Sequence, residues 1–201
     1  MNLRNLATFG LAAALATSAF AQAVTFKVGA GRQTQQIAQV ESVTDFETFT
    51  GRTDKVTGSL SFDPAKRTGS GRLVVDAASI DTGIPLRNDH MRGAQWLNTE
   101  KNPNIIFETT SVRFVRGENY TVTGRFTMNG VTRNVTTTAT VKHLKESAAT
   151  KGAGFKGDVL QVKTNFKVKL SDFGITIGGA ATGKVANDVT ISVVVYGQSS
   201  A

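Results

Sequence analysis

A two-residue alternation of apolar and polar side chains runs through most of the chain and restricts its fold more than any other feature. In VTGSLSFD, residues 56–63, the apolar Val56, Leu60 and Phe62 fall on one face. The same pattern recurs over residues 105–109, 120–128, 135–141, 160–170 and 189–195. Successive side chains of a β-strand point to opposite faces. These runs therefore predict strands with one apolar and one polar face.

Three connections between these runs favour antiparallel hairpins. The segment MNGV, residues 128–131, contains Asn-Gly, which supplies the two positive φ angles of a type I′ turn. The Gly-rich DPAKRTGSGR, residues 63–72, predicts a looser hairpin connection, and KESAATKGAGFKGD, residues 145–158, predicts a third and longer one. Together they indicate an all-β chain with antiparallel neighbours.

Helical spacing is confined to one short insertion. In IPLRNDHMRGAQW, Leu86, Met91 and Trp96 recur with polar residues between them, which predicts short helical turns around residues 85–97. The remainder predicts roughly eight antiparallel strands in a single domain over residues 22–201. An open sheet of that size exposes its edges, so closure into a barrel is favoured. An eight-stranded barrel is just wide enough inside for side chains or one slim ligand.

The first 21 residues have the pattern of a secretory signal peptide. One charge, Arg4, precedes an almost wholly apolar run over residues 6–20, and Ala19 and Ala21 fit the small-x-small cleavage rule. That run is shorter than the roughly 20 residues that span a bilayer. We therefore expect cleavage after Ala21 and a periplasmic or secreted product.

Composition excludes several kinds of chemistry. The chain has no cysteine, which removes disulfides, thiol catalysis and cysteine-ligated zinc.

Its 23 Lys and Arg outnumber its 15 Asp and Glu, for a net charge of +8. The basic residues form no run of four, so nucleic acid is not an expected partner. Transient contact with an anionic membrane surface is a hypothesis that the charge raises, and the oligomeric state is open.

Catalytic groups are scarce. The two histidines are His143, at the end of an alternating run, and His90, which follows Asp89 directly. Adjacent residues do not face one another in a helical turn, and no Gly-x-Ser-x-Gly nucleophile motif is present. We therefore predict a protein that is not an enzyme and holds neither metal nor cofactor. A lipid hydrolase or isomerase using Asp89 and His90 stays as an alternative.

Aromatic content raises the question of what fills the barrel. The chain has 12 phenylalanines, most of them on apolar strand faces. They either fill a closed core, as in a structural or stress-response protein, or line a cavity for a long apolar ligand. Each CH₂ group removed from water contributes about 0.8 kcal/mol, so a lipid tail would bind firmly. A polar head would then meet Arg87, His90 and Arg92 at the rim.

Several segments resemble the YceI-like family of exported lipid- and polyisoprenoid-binding proteins. They are VTGSLSFDP at 56–64, LVVDAASIDTG at 73–83, RNDHMRGAQWLNTEKNPNIIFETT at 87–110, YTVTGRFTMNGVTRNV at 120–135 and LSDFGI at 170–175. The resemblance implies a lipocalin-like antiparallel barrel whose internal tunnel holds a polyisoprenoid or an isoprenoid quinone. It also implies that Arg87 and His90 stand at the family's Arg and His by the tunnel mouth, and that Trp96 and Leu97 take its aromatic pair.

The combined prediction is an exported carrier of a long apolar lipid. The predicted ligand contacts are Phe49, Phe62, Ile80, Arg87, His90, Met91, Arg92, Trp96, Leu97, Phe107, Phe126, Phe166 and Phe173. The sequence does not say which face of each strand points inward.

Overall fold

A computed structural model describes residues 23–30 and 35–200. The predicted signal peptide and its cleavage after Ala21 lie outside the described residues. Within the described ranges, no helix combines the length and apolar character needed to cross a bilayer.

The described residues form ten β-strands and two short α-helices. The strands are β1 (Val24–Val28), β2 (Ile37–Val43), β3 (Thr48–Thr53), β4 (Val56–Asp63), β5 (Thr68–Asp76), β6 (Asn104–Arg116), β7 (Asn119–Met128), β8 (Val131–Leu144), β9 (Val159–Lys169) and β10 (Asp188–Gln198). The helices are α1 (Pro85–Arg92) and α2 (Ala148–Gly152), and 3₁₀ turns cover Ala77–Ser79, Leu170–Phe173 and Gly179–Ala181.

Eight of the strands close into an antiparallel barrel. β1 pairs with β4 on one side and with β10 on the other, which joins the two ends of the series β4 to β10. The predicted lipocalin-like barrel is thus confirmed, but the expectation of eight strands in all misses the β2–β3 hairpin. That hairpin forms because β1 covers only Gly197 and Gln198 of β10, which leaves Thr190 to Val194 free to pair with β2.

The tight Asn-Gly hairpin is confirmed, whereas the Gly-rich connection is shorter than expected. Asn129 and Gly130 have φ angles of 50° and 73°, as a type I′ turn requires. β5 already begins at Thr68, so most of the predicted 63–72 loop is strand. Its glycines permit close packing: a Cβ atom at Gly71 would lie 2.5 Å from the Leu60 side chain of β4. The long 145–158 connection contains α2.

The short helical turns predicted around residues 85–97 are present as α1 and the turn that follows it. Pro85 begins α1 and Gly93 ends it, with the Gly93 N–H donating to the carbonyls of Asp89 and His90. The buried Asn88 anchors the helix: its Oδ1 accepts from the N–H and hydroxyl of Thr82, each at 2.8 Å. Two apolar clusters, one at each end of the barrel, form the core. The space between them is the candidate site.

Candidate functional site

An apolar cavity of about 250 Å³ runs along the barrel axis. At about 30 Å³ for each molecule in the liquid, that is the volume of roughly eight waters. Residues of β2 to β10 and of α1 line it, and the exposed surface inside is almost wholly apolar. The barrel interior is therefore not filled by the protein's own aromatic side chains.

Eleven of the thirteen predicted contacts line this cavity. They are Phe49, Phe62, Ile80, Arg87, His90, Met91, Trp96, Leu97, Phe107, Phe126 and Phe166. Arg92 and Phe173 do not line it. Arg92 lies one helical step beyond Met91, and its Nε donates to the Ala78 carbonyl at 2.9 Å. The Phe173 ring is buried behind the cavity wall, edge-on to Phe126 at 5.5 Å between centroids.

An ion pair occupies the end of the cavity beneath α1. The Arg87 guanidinium pairs with Glu47, and it lies 4.2 Å above the Phe49 ring centroid. The two charged side chains are only 23% and 28% exposed. Glu47 was missed by sequence reasoning, because it lies 40 residues before Arg87 and no local pattern connects them. The charge of Arg87, which was expected to meet a lipid head at the rim, is consequently balanced by a half-buried carboxylate.

The cavity reaches the surface beside α1, a point that we call the mouth. His90 is exposed and also lines the cavity. Asp89 faces Arg92 at 3.5 Å, and among the described residues no hydrogen bond joins it to His90. The pair that a hydrolase or isomerase would need is therefore not formed. The described residues also contain no group of three His, Asp or Glu side chains placed to hold a metal ion.

The pairing of β5 with β6 leaves a gap in the barrel wall. Their pairing stops at Arg72 and Glu108, although both strands continue beyond that rung. Gly69 and Ser70 on one side of the gap and Thr109 on the other line the cavity. Ser70 lies in this gap on the outer face of β5, like Arg72, and is exposed. We call the cavity the tunnel and this break in the pairing of its wall the β5–β6 gap.

A charged cluster fixes the last rung before this gap. Glu108 accepts from Arg125 at 2.8 Å and from Arg72 at 3.1 Å. These hydrogen bonds, that from Arg125 above all, hold the pKa of the Glu108 carboxyl below its usual range. The Glu108 carboxylate of β6 thus links Arg72 of β5 to Arg125 of β7, on the outer surface beside the gap.

A family model described as the YceI-like domain matches residues 17–196. The chain belongs to the YceI-like family. A UPF0312 protein of Serratia proteamaculans is 37% identical over 146 residues, which are 70% of this chain and 68% of that protein. Protein YceI of Salmonella newport is 30% identical over 175 residues, 86% of this chain and 87% of that protein. The resemblance seen in the sequence motifs is confirmed.

Solved structures share the YceI-like barrel. The crystal structure of BcnA from Burkholderia cenocepacia has a TM-score of 0.68 and 26% identity, and the match covers 80% of this chain and 95% of BcnA. A polyisoprenoid-binding domain of Saccharophagus degradans, implicated in plant cell wall breakdown, has a TM-score of 0.63. Its match covers 88% of this chain and 99% of that domain at 18% identity, which shows the fold alone.

Two threonine hydroxyls in the tunnel wall of this YceI-like barrel donate to backbone carbonyls. β8 and β9 pair only from Ala139 and Thr164 onward. Just beyond, Thr137 Oγ1 donates to the Asn165 carbonyl at 2.8 Å, and Thr164 Oγ1 donates to the Thr138 carbonyl at 3.0 Å. Alternation alone places Thr137 and Thr164 on the same face as the apolar residues of their strands. Their bonding to the backbone, which keeps the tunnel apolar, is visible only in the structure.

Proposed function

We propose that this protein binds and carries a long apolar lipid in its tunnel, without forming or breaking covalent bonds in it. The observation that carries the proposal is the continuous apolar tunnel between the two core clusters. An apolar space of this size gains free energy from hydrocarbon, at about 0.8 kcal/mol for each CH₂ group taken from water. A chain that enters by the mouth has a second way out between β5 and β6, so it need not end inside the protein.

The mouth favours a lipid with a small uncharged polar head. Arg87 lines the tunnel, but its charge is matched by Glu47. An anionic head placed against Arg87 would also meet the Glu47 carboxylate, and that repulsion would cancel much of the attraction. His90 offers a ring nitrogen for a hydrogen bond to a carbonyl or hydroxyl group. An isoprenoid quinone has this combination of long apolar chain and neutral head.

Two further features support the details of the proposal. The Saccharophagus degradans domain with the same fold is described as polyisoprenoid-binding, which favours an isoprenoid chain over other hydrocarbons. The signal-peptide pattern of residues 1–21 favours export to the periplasm or the medium. A carrier outside the cytoplasm would keep such a lipid out of water between membranes.

Filling the tunnel tests the proposal. Ala139 lines the tunnel and is 2% exposed, whereas its neighbour Thr138 points outward from the same strand. We expect mass spectrometry of organic extracts to find an isoprenoid in wild type and in Thr138→Phe, and to find little in Ala139→Phe. Thermal melting checks that both variants fold. Repeated absence of lipid from fresh wild-type preparations, or equal lipid in both variants, would contradict carriage in the tunnel.

A further inference from the structure

Large apolar side chains are exposed mainly at one end of the molecule. Among the described residues six are exposed, and four of these lie close to the tunnel mouth. They are Phe46 at 77%, Leu86 at 64%, Val43 at 57% and Ile84 at 46% exposure. We call these four the mouth patch. The remaining two, Val115 and Leu144, lie at the opposite end, where β6 and β8 finish.

The mouth patch belongs to two elements that are held together. Phe46 lies in the turn between β2 and β3 and precedes Glu47, while Leu86 lies in α1 and precedes Arg87. The ion pair between Glu47 and Arg87 therefore brings the two apolar side chains to either side of the mouth. Thr44 Oγ1 donates to the Gly183 carbonyl at 2.7 Å, which attaches the β2–β3 turn to the segment that precedes β10.

The charges around the mouth patch are close to balanced. Arg87 is paired with Glu47, and Arg92 faces Asp89. Asp45, inside the β2–β3 turn, is an additional exposed carboxylate, and Lys184, which follows the Gly183 that contacts this turn, is an additional exposed cation. The positive charge of the chain as a whole is thus not concentrated here, and burial of apolar surface is what the patch offers to a partner.

We propose that the mouth patch docks onto a lipid bilayer by inserting its apolar side chains into the bilayer surface. The proposal deepens the proposed function, because the cargo of the tunnel is a lipid. A second copy of this chain or another protein seated on the patch would cover the mouth beside His90. A bilayer buries the same side chains and leaves a continuous apolar route from membrane to tunnel, so it is the partner that fits.

Vesicle flotation with a matched control tests the docking surface. The double variant Phe46→Ser, Leu86→Ser removes apolar surface at the mouth, and Val115→Ser, Leu144→Ser removes it at the opposite end. Neither pair lines the tunnel. With phosphatidylcholine vesicles, we expect on the order of a tenfold loss of binding for the mouth variant and less than about twofold for the control. Raising salt from about 0.1 M to about 1 M should leave wild-type binding within about twofold, because no charge attraction is involved.

The readouts separate failure of docking from failure of carriage. Lipid extracted from each variant is measured beside flotation. A wild type that holds lipid but does not float overturns docking alone, whereas one that floats but never holds lipid overturns carriage alone. Equal flotation of the two double variants overturns docking, and so does flotation that high salt abolishes. A dimer in sedimentation that only the mouth variant breaks also overturns it, in favour of a second copy on the patch. Phe46→Ser alone repeats the test if the double variant melts early.

Discussion

Glu47 sets the charge at the tunnel mouth, because its carboxylate matches the guanidinium of Arg87. Replacing it in Glu47→Gln leaves that guanidinium facing the tunnel without a countercharge. We expect affinity for a long-chain fatty acid to rise about tenfold relative to the corresponding alcohol, equivalent to about 1.4 kcal/mol. Displacement of a fluorescent lipid from the tunnel measures both affinities. Asp45→Asn, which removes an exposed carboxylate two residues away, is the control. An unchanged acid-to-alcohol ratio in Glu47→Gln would show that the ion pair does not select the head group.

Asn88 holds α1 against the segment that precedes it, through its amide and not through charge. Its Nδ2 donates to Asp81 Oδ1 at 2.6 Å while its Oδ1 accepts from Thr82. The Gly83 N–H, followed by this amide, holds the pKa of the Asp81 carboxyl below its usual range. In Asn88→Asp the donor becomes a second carboxylate facing Asp81.

We expect Asn88→Asp to lower the free energy of unfolding by about 1–3 kcal/mol at neutral pH, since a buried donor is lost. Repulsion raises the folded-state pKa of one of the two carboxyls above its unfolded value. The destabilisation is therefore present at neutral pH and is relieved as the pH falls through that raised pKa. Urea unfolding at neutral and acidic pH measures the change, and exposed Asn134→Asp is the control. A loss that stays constant with pH would rule out carboxylate repulsion as its cause.

Among the elements, those that depend on local sequence could be predicted and those that depend on distant pairing could not. Asn129 and Gly130 dictate the β7–β8 turn by themselves, and alternation identifies the long strands. The β2–β3 hairpin exists because β1 covers too little of β10, which only the closed barrel reveals. Alternation identified which strand residues share a face, and closure of the barrel turns the apolar face of each strand toward the tunnel. The mouth and the β5–β6 gap were not predictable, because they arise where Glu47 meets Arg87 and where β5 leaves β6.

We propose that the β5–β6 gap is a second opening of the tunnel, kept clear by small residues. Gly69 and Ser70 form one side of the gap. In Ser70→Trp a large ring covers the opening, so a lipid chain has to end inside the barrel. For wild type we expect affinity to rise with chain length by about 0.8 kcal/mol per buried CH₂ group until the tunnel is full, after which further carbons leave through the gap.

For Ser70→Trp we expect affinity to fall once the chain is longer than the tunnel. A series of alcohols of increasing chain length, measured by displacement of a fluorescent lipid, locates the break. Thr138→Trp places the same ring on the outer surface of β8 and should follow wild type. If Ser70→Trp binds the longest chains as well as wild type does, the gap is not a route for the chain.

At the scale of the whole molecule, carboxylates held in hydrogen bonds tie the barrel and its connections together. The pKa of each of five carboxyls lies below its usual range, and the sites are spread over both ends and the outer wall: Asp63, Asp81, Glu108, Glu146 and Asp158. A carboxyl whose pKa is lower in the folded state stabilises the fold above its unfolded pKa, and this contribution disappears as the pH falls. The barrel should therefore lose stability below about pH 4.

Asp158 provides the sharpest test, because it closes the end of the barrel opposite the mouth. Its carboxylate accepts from Lys145 at 2.7 Å and from the Glu146 N–H at 3.0 Å, and it lies 2.9 Å from His143 Nε2. The Lys145 hydrogen bond is the main cause of its lowered pKa.

We expect Asp158→Asn to lower the free energy of unfolding by about 1–3 kcal/mol at neutral pH. The difference from wild type should shrink below about pH 4, where the wild-type carboxylate also loses its charge. Urea unfolding across this range, with exposed Asp188→Asn as control, measures both slopes. Parallel slopes for Asp158→Asn and wild type would mean that this carboxylate does not contribute to the acid sensitivity of the barrel.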